Sequence, residues 1–423
     1  MEPARACQPH ASWHLLAIFV TSVALRWLAV AYFAEVPYSD PADYHELAQN
    51  VVRGDGYSYG PGKLTAFRAC GYPLFLAAIY RVAGPDWRTA ERVQAVLGGG
   101  SVLLITTLAW LVVGRREALL SGYLAAVYPC LVFLPRLLLS ENLSVFLQVA
   151  ALCSTVLLLR RPRAIVALAL GVLLGLNLLV RGGSLFMAAL VVLGVAATAG
   201  GRRFDRRGLA LAALVMTATS ATLAPWVARN YSVFHHFVPI ATEDGITFYT
   251  SYWPPRSGGK AIWGNVPGVE DPAVAEAFRA GNEAQMSRHL RGVVLGRLLR
   301  QPSHALELIP IKLINVLVPI DWEILPHGAG RTRSINYGYL AAVFPALLGA
   351  WTLWRRRPSH LWVLWVTPAA ILPLTVIFYG SPRFRLPAEP ALIVFAACGL
   401  LATWDRASRR HGVAAPAAGA AGT

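Results

Sequence analysis

Arg160-Arg161-Pro162-Arg163, then AIVALALGVLLGLNLLV (Ala164–Val180) without a single charge, then Arg181-Gly182-Gly183: this stretch decides the fold. An uncharged apolar run of that length, at 1.5 Å rise per residue, is long enough for a membrane-spanning helix. By the same measure, about ten stretches qualify along the chain. They are joined by short cationic runs: Arg115-Arg116, the run just quoted, Arg202-Arg203 with Arg206-Arg207, Arg355-Arg356-Arg357, and Arg406 with Arg409-Arg410. Such runs mark the cytoplasmic side. The opposite ends of the spans should then be poor in charge, yet they carry Asp40, Asp43, Arg68, Glu141, Arg181, Arg229, Arg383 and Arg385. Charge at that boundary is a functional-site hypothesis by default.

Composition agrees. Of 423 residues, 56% are hydrophobic and 14% charged, and the mean hydropathy is +0.50. These values belong to an all-α integral membrane protein and not to two or three soluble domains. A net charge of +16 could suggest nucleic acid, but the cations sit in short loops between apolar spans and no nucleic-acid-binding motif is present. They read as topology determinants and contacts to membrane lipids. Five scattered cysteines show no metal-ligand spacing and read as small apolar core residues.

Orientation set by the arginine runs sends Trp13–Ala34 outward as a retained first span. The loop over 35–91 follows, with a polar helix near Pro41–Val52 and an apolar stretch, Tyr72–Val82, too short to span and expected in the interface. Spans follow at Val93–Val113, Ala118–Leu134, Leu143–Leu159, Ala164–Val180, Leu185–Ala199 and Leu209–Val227. Residues 229–334 lose continuous hydrophobicity and form the large extracytoplasmic loop, with helical spacing at Pro272–Leu299 and an interfacial stretch at Ala305–Val318. Tyr339–Trp354, Leu361–Phe378 and Ala388–Thr403 complete the bundle. The expected units are thus 1–228, 229–334, 335–411 and a disordered Ala/Gly-rich tail over 412–423.

Four constellations could carry chemistry. In Ser39-Asp40-Pro41-Ala42-Asp43-Tyr44-His45, Asp40 precedes a proline suited to the first helical turn, so it reads either as a helix cap or as a partly desolvated general base. Arg68, before the Gly71-Tyr72-Pro73 turn, reads as a headgroup anchor or as a ligand for a lipid-linked phosphate. Glu141, in Ser140-Glu141-Asn142, caps the next span or faces Asp40 as a second acid. Asp40, Asp43 and Glu141 together could hold a divalent metal ion, although no spacing demands one. In Gly380-Ser381-Pro382-Arg383-Phe384-Arg385, an extended R-x-R would put both guanidinium groups on one side to grip a phosphate, or both could snorkel to headgroups. Arg181, and Arg229 with Asn230, occupy similar end-of-span positions. The aromatic run Phe248–Trp253 could stack on sugars or form an interfacial belt.

In order along the chain, Ser39–Ala48, Gly54-Asp55-Gly56-Tyr57, Phe67–Leu74, Arg136–Asn142, Pro225-Trp226 with Arg229-Asn230-Tyr231, and Arg383–Pro387 resemble the bacterial membrane glycosyltransferases related to dolichyl-phosphate-mannose-protein mannosyltransferases and aminoarabinose transferase. The resemblance implies a GT-C-like polytopic bundle with interfacial helices, which moves a sugar from a polyprenyl-phosphate carrier to an envelope lipid, glycan or protein. It places the catalytic acid at Asp40, and the family's second acid is Pro41 here, leaving Asp43 as its substitute. Glu141 matches the acidic position before the fourth span; Arg383 and Arg385 match the last extracytoplasmic loop. Arg68 matches the arginine before the Gly-Tyr-Pro turn, and Tyr44, His45, Tyr72, Arg181, Arg229 and Asn230 are the expected substrate-binding positions.

Placement in the bacterial inner membrane, with the site facing outward and direct displacement inverting the anomeric centre, completes the expectation. A polyprenyl-lipid transporter and a structural envelope subunit are the non-catalytic alternatives. The chain shows no repeated halves of the transporter kind.

Overall fold

The computed structural model describes residues 9–33, 35–200, 203–252, 272–279, 281–321, 324–326 and 334–410; the expected disordered tail lies outside them. Most of the described chain is helical. The first half runs α1 (Pro9–Phe33), α2 (Asp40–Arg53), α3 (Gly71–Ala83), α4 (Trp87–Val112), α5 (Arg115–Val127), α6 (Pro129–Phe133), α7 (Glu141–Arg160), α8 (Ala164–Val180) and α9 (Leu185–Thr198). Then come α10 (Arg206–Phe234), α11 (Glu243–Thr250), α12 (Pro272–Arg279), α13 (Glu283–Arg300), α14 (Pro302–Leu317), α15 (Tyr337–Arg356), α16 (Trp362–Ile377), α17 (Pro382–Arg385) and α18 (Glu389–Arg410). One small antiparallel ladder pairs β1 (Ile320–Asp321) with β2 (Ser334–Ile335), Ile320 opposite Ile335.

Every stretch that hydropathy picks out is helical, but among the described residues only six helices are long and apolar enough to cross a bilayer. A seventh span results if the bent pair Arg115–Val127 and Pro129–Arg136 is counted as one. Its halves meet at 55° because Tyr128, before Pro129, is forced extended (ψ 118°). The helices Ala164–Val180, Gly182–Thr198 and Trp362–Ile377 are apolar but shorter.

Small residues let these helices approach closely, as lipid-embedded bundles require. A Cβ on Gly349 of α15 would lie 1.8 Å from the Phe395 carbonyl oxygen of α18, and one on Gly399 of α18 would lie 1.9 Å from that of Pro345. Gly171 of α8 meets the Val215 backbone of α10 in the same way. The main buried cluster runs through α4, α7, α8, α9, α16 and α18. A second, containing Tyr44, Tyr72, Tyr80 and Leu138, ties α2 and α3 to the bundle. A third, with Ile246, Tyr249, Tyr252 and Leu290, gathers α11 to α14.

Two expected boundaries move. The helix assigned to Leu209–Val227 continues through Arg229 and Asn230 to Phe234, with Pro225 inside it, so a domain boundary at 228/229 would cut a continuous helix. Pro272–Leu299 divides at Gly281, whose φ of +116° suits glycine, and Asn282 restarts the chain as α13 with a reciprocal capping box to Gln285. The described part of the aromatic run does not form an open stacking face. Tyr249 and Tyr252 are core residues of the third cluster.

Candidate active site

The chain enters α2 through Ser39, held at φ +55°, a conformation costly for a residue with a side chain. Its carbonyl accepts from the backbone N–H groups of Ala42 (3.0 Å) and Asp43 (3.1 Å). Asp40 is therefore the first helical residue and not a cap, and its carboxylate faces away from the helix's free N–H groups. Oδ1 accepts from Arg68 Nη2 at 2.7 Å and Oδ2 from Arg383 Nη1 at 2.9 Å.

From that carboxylate a chain of alternating charges extends both ways. Arg383 donates through Nε and Nη2 to the two oxygens of Glu141, the latter bond 3.1 Å long, and Arg181 Nη1 shares Glu141 Oε1. On the other side, Arg68 donates to Asp43 Oδ2 (2.7 Å) and to Glu243 Oε2 (2.6 Å). The Glu141 side chain is 1% exposed, Asp40 9% and Arg383 13%, so these groups pair with one another largely out of water. Buried charges persist only when paired in this way. The network opens on a cavity of about 430 Å³ lined by Asp40, Tyr44, Arg68, Arg181, Glu243 and Arg383. Leu185, Phe186, Leu374, Ile377 and Phe378 line its apolar side. A polar floor and an apolar flank suit a ligand with a charged head and a hydrocarbon tail.

Burial disfavours the Asp40 carboxylate, but Arg383 and Arg68 outweigh it and hold the group below its ordinary range, against a smaller opposing push from Glu141. Glu243 goes the other way. Burial raises its carboxyl more than Arg68 lowers it. Two acids on one arginine thus have separated proton affinities, a pattern found where acid and base roles are divided.

The other expected site residues distribute unevenly. Tyr44 and Arg181 line the cavity, while Asp43 touches it only through Arg68. Arg385 does not join Arg383. Ser381 caps Arg383 N–H at 3.3 Å and Pro382 opens a helical turn, so side chains two residues apart diverge where an extended strand would align them. Arg385 instead pairs with Glu389 at 3.1 Å, donates to the carbonyls of Val316 and Val318, and stacks on Tyr339.

His45 turns to Tyr80 (2.7 Å), and the buried Tyr72 hydroxyl donates to Gln94. Arg229 fastens the first loop by donating to the carbonyls of Thr65 (2.7 Å) and Tyr57 (3.0 Å), and Asn230 donates to Val238 O. These four residues build the walls and do not line the cavity.

The three acids suggested for a divalent ion do not fit one. Both oxygens of Asp40 and both of Glu141 accept from guanidinium groups, as does Asp43 Oδ2. An incoming cation would sit against the Arg68 and Arg383 guanidinium groups, whose charges repel it. Among the described residues no three His, Cys, Asp or Glu side chains gather as a metal-binding group.

Sequence reasoning missed Glu243. It is brought to Arg68 because Thr242 N–H and Glu243 N–H bond to the carbonyls of Ala66 (2.9 Å) and Phe67 (3.2 Å), contacts that leave no mark on local composition.

No protein-family profile and no curated protein sequence matches this chain. Solved structures do. The archaeal oligosaccharyltransferase AglB of Archaeoglobus fulgidus, in complex with an inhibitory peptide and a dolichol-phosphate, superposes with a TM-score of 0.59 at 15% identity, over 98% of this chain and 52% of AglB. Its apo form gives 0.58 at 17% identity, over 95% and 51%. The fold is GT-C-like. The chain spans about half the length of AglB. ArnT from Cupriavidus metallidurans bound to undecaprenyl phosphate also matches, at TM-score 0.46 and 15% identity over 93% of this chain and 80% of ArnT.

Proposed function

We propose that this GT-C-like protein transfers a sugar from a polyprenyl-phosphate carrier to an acceptor on a cell-envelope lipid, glycan or protein, at the outer face of a bacterial inner membrane. The observation that carries the reading is the meeting of Asp40, Arg383 and Arg181 at one cavity with an apolar flank. That AglB is solved with a dolichol-phosphate is in keeping with a carrier of this class.

Asp40, kept ionised by two arginines, accepts the hydrogen bond of the acceptor O–H or N–H and takes its proton as the new bond to the anomeric carbon forms. The bond from that carbon to the phosphate oxygen breaks, and its electron pair leaves with the phosphate. Arg383 and Arg181, with Arg68 behind Asp40, oppose the charge that develops there. Attack opposite the leaving phosphate inverts the anomeric centre. A phosphate entering between Arg181 and Arg383 competes with Glu141 for both, so the resting network already presents the anion-binding geometry.

The test is reconstitution of the whole chain in vesicles with polyprenyl-phosphate-linked sugars. Release of free polyprenyl phosphate coupled to acceptor glycosylation is expected; movement of intact donor across the bilayer without release would instead mark a transporter. Mass spectrometry of envelope glycans with and without the protein then identifies the sugar.

A further inference from the structure

Lys312 lies on α14, outside the spanning helices, and is 1% exposed. Its Nζ donates to Val376 O at 3.1 Å and sits 3.7 Å from the centre of the Tyr252 ring. Val376 O is one of the last carbonyls of α16, which the helix itself leaves unpaired. The Tyr252 hydroxyl donates to the same oxygen at 3.0 Å. Four residues on, the Lys312 backbone seats Gly380, where a Cβ would come within 1.8 Å of the Lys312 carbonyl oxygen. Between these two points run Ile377, Phe378 and Tyr379 of the cavity wall, and three residues beyond Gly380 stands Arg383.

We propose that Lys312 is the positioning residue of the Arg383 segment: α14, docked through the Lys312 amine and backbone, aims the Arg383 guanidinium at Asp40 and Glu141. The assignment rests on the reading of Arg383 as a phosphate ligand only for its catalytic consequence. Among the described residues Tyr252, from the turn after α11, is the titratable group facing the Lys312 amine. His304, on α14 itself, contacts the Tyr252 carbonyl at 3.1 Å, and Arg385 of α17 meets α14 at Val316 and Val318. Among the described residues no carboxylate pairs with Lys312, whose proton affinity is lowered by burial to a pKa of about 7.

This arrangement couples the segment to protons. Docked, the group is a neutral amine above pH 7; undocking α14 hydrates it and returns it to the ordinary lysine value of about 10.5, so opening takes up a proton at any pH between the two. Opening therefore becomes about tenfold rarer for each pH unit across that window, and acid loosens the segment.

Hydrogen exchange of residues 377–385, measured on the whole protein in lipid nanodiscs from pH 7.5 to 9.5 and corrected for intrinsic amide chemistry, reads the opening directly. The expected wild-type profile falls about tenfold per pH unit. Lys312→Met, near in size and uncharged, should fold and give a flat profile, whereas Tyr252→Phe should retain the slope. Gly380→Ala, which pushes the segment off α14, should raise exchange about tenfold at pH 9. A flat wild-type profile, a slope surviving in Lys312→Met, or unchanged exchange in Gly380→Ala would each overturn the assignment. If these profiles hold but the wild type releases no polyprenyl phosphate, the transferase reading fails and the positioning role stands.

Discussion

Replacing Arg383 by Gln strikes both arms of the charge network at once. The guanidinium serves Asp40 and Glu141, whose side chains are 9% and 1% exposed. Removing one partner of a buried pair costs about 3–5 kcal/mol when the other charge is left alone. Here Arg68 remains on Asp40 and Arg181 on Glu141, so about 2–3 kcal/mol is expected at pH 7. The loss should depend on pH with a definite sign. In the wild type the Asp40 carboxyl is held below its ordinary 3.8, so its stabilising contribution is present above that pH and is lost as pH falls through the lower, folded value. Without Arg383, burial dominates and the carboxyl rises above 3.8. Its ionised form then costs stability, increasingly as pH climbs through the raised value.

Thermal unfolding in detergent should accordingly show a wide gap between wild type and Arg383→Gln at pH 7 that narrows toward pH 4.5. Transfer should fall by about 10²-fold, the effect of losing one well-placed donor to a developing anion. An equal gap at both pH values together with an unchanged transfer rate would refute the reasoning.

Asp40→Asn should still fold and insert, at a lowered unfolding temperature, yet release no polyprenyl phosphate in the reconstituted assay; wild-type turnover by the purified variant would remove Asp40 from the mechanism. Arg385→Met should lower stability by about 3 kcal/mol, because Glu389 is left buried without its cation, while leaving the KM for the carrier-linked donor within about twofold, as the group lies away from the cavity. A tenfold rise in that KM would return Arg385 to the site. Gly399→Ala should destabilise the α15–α18 contact by about 1–3 kcal/mol, readable as a lower unfolding temperature, and an unchanged value would mean that the two helices part freely. EDTA should leave transfer unchanged, since the guanidinium groups beside the acids repel a cation; activity lost to chelation and restored by a divalent ion would contradict the arginine-bound arrangement.

What could be read from sequence follows from the physics of each residue. The helical bundle was legible because uncharged runs between arginine clusters have few other stable forms. Asp40, Glu141 and Arg383 could be nominated because charge is out of place at those span ends, and the structure brings their side chains into contact. Arg385 misled, since R-x-R implies alignment only in extended backbone, and Ser381-Pro382 start a helical turn there. Glu243 gave no signal because its partner, Arg68, lies 175 residues away in a segment of ordinary loop composition. Arg229 and Asn230 stood out for the same reason that Arg383 did, and only three-dimensional contacts show that they hold loop carbonyls while Arg383 borders the cavity.

The three abbreviated helices α8, α9 and α16 carry a further consequence, because the ends of all three border the cavity. Fourteen residues of α9 reach about 21 Å, well under the roughly 30 Å of a hydrocarbon core. Lipid beside them must compress or give way to water, at a cost of fractions of a kcal/mol per ångström. On the proposed function, such thinning of the leaflet would let the polar head of a carrier lipid reach the pocket floor while its tail stays among neighbouring acyl chains.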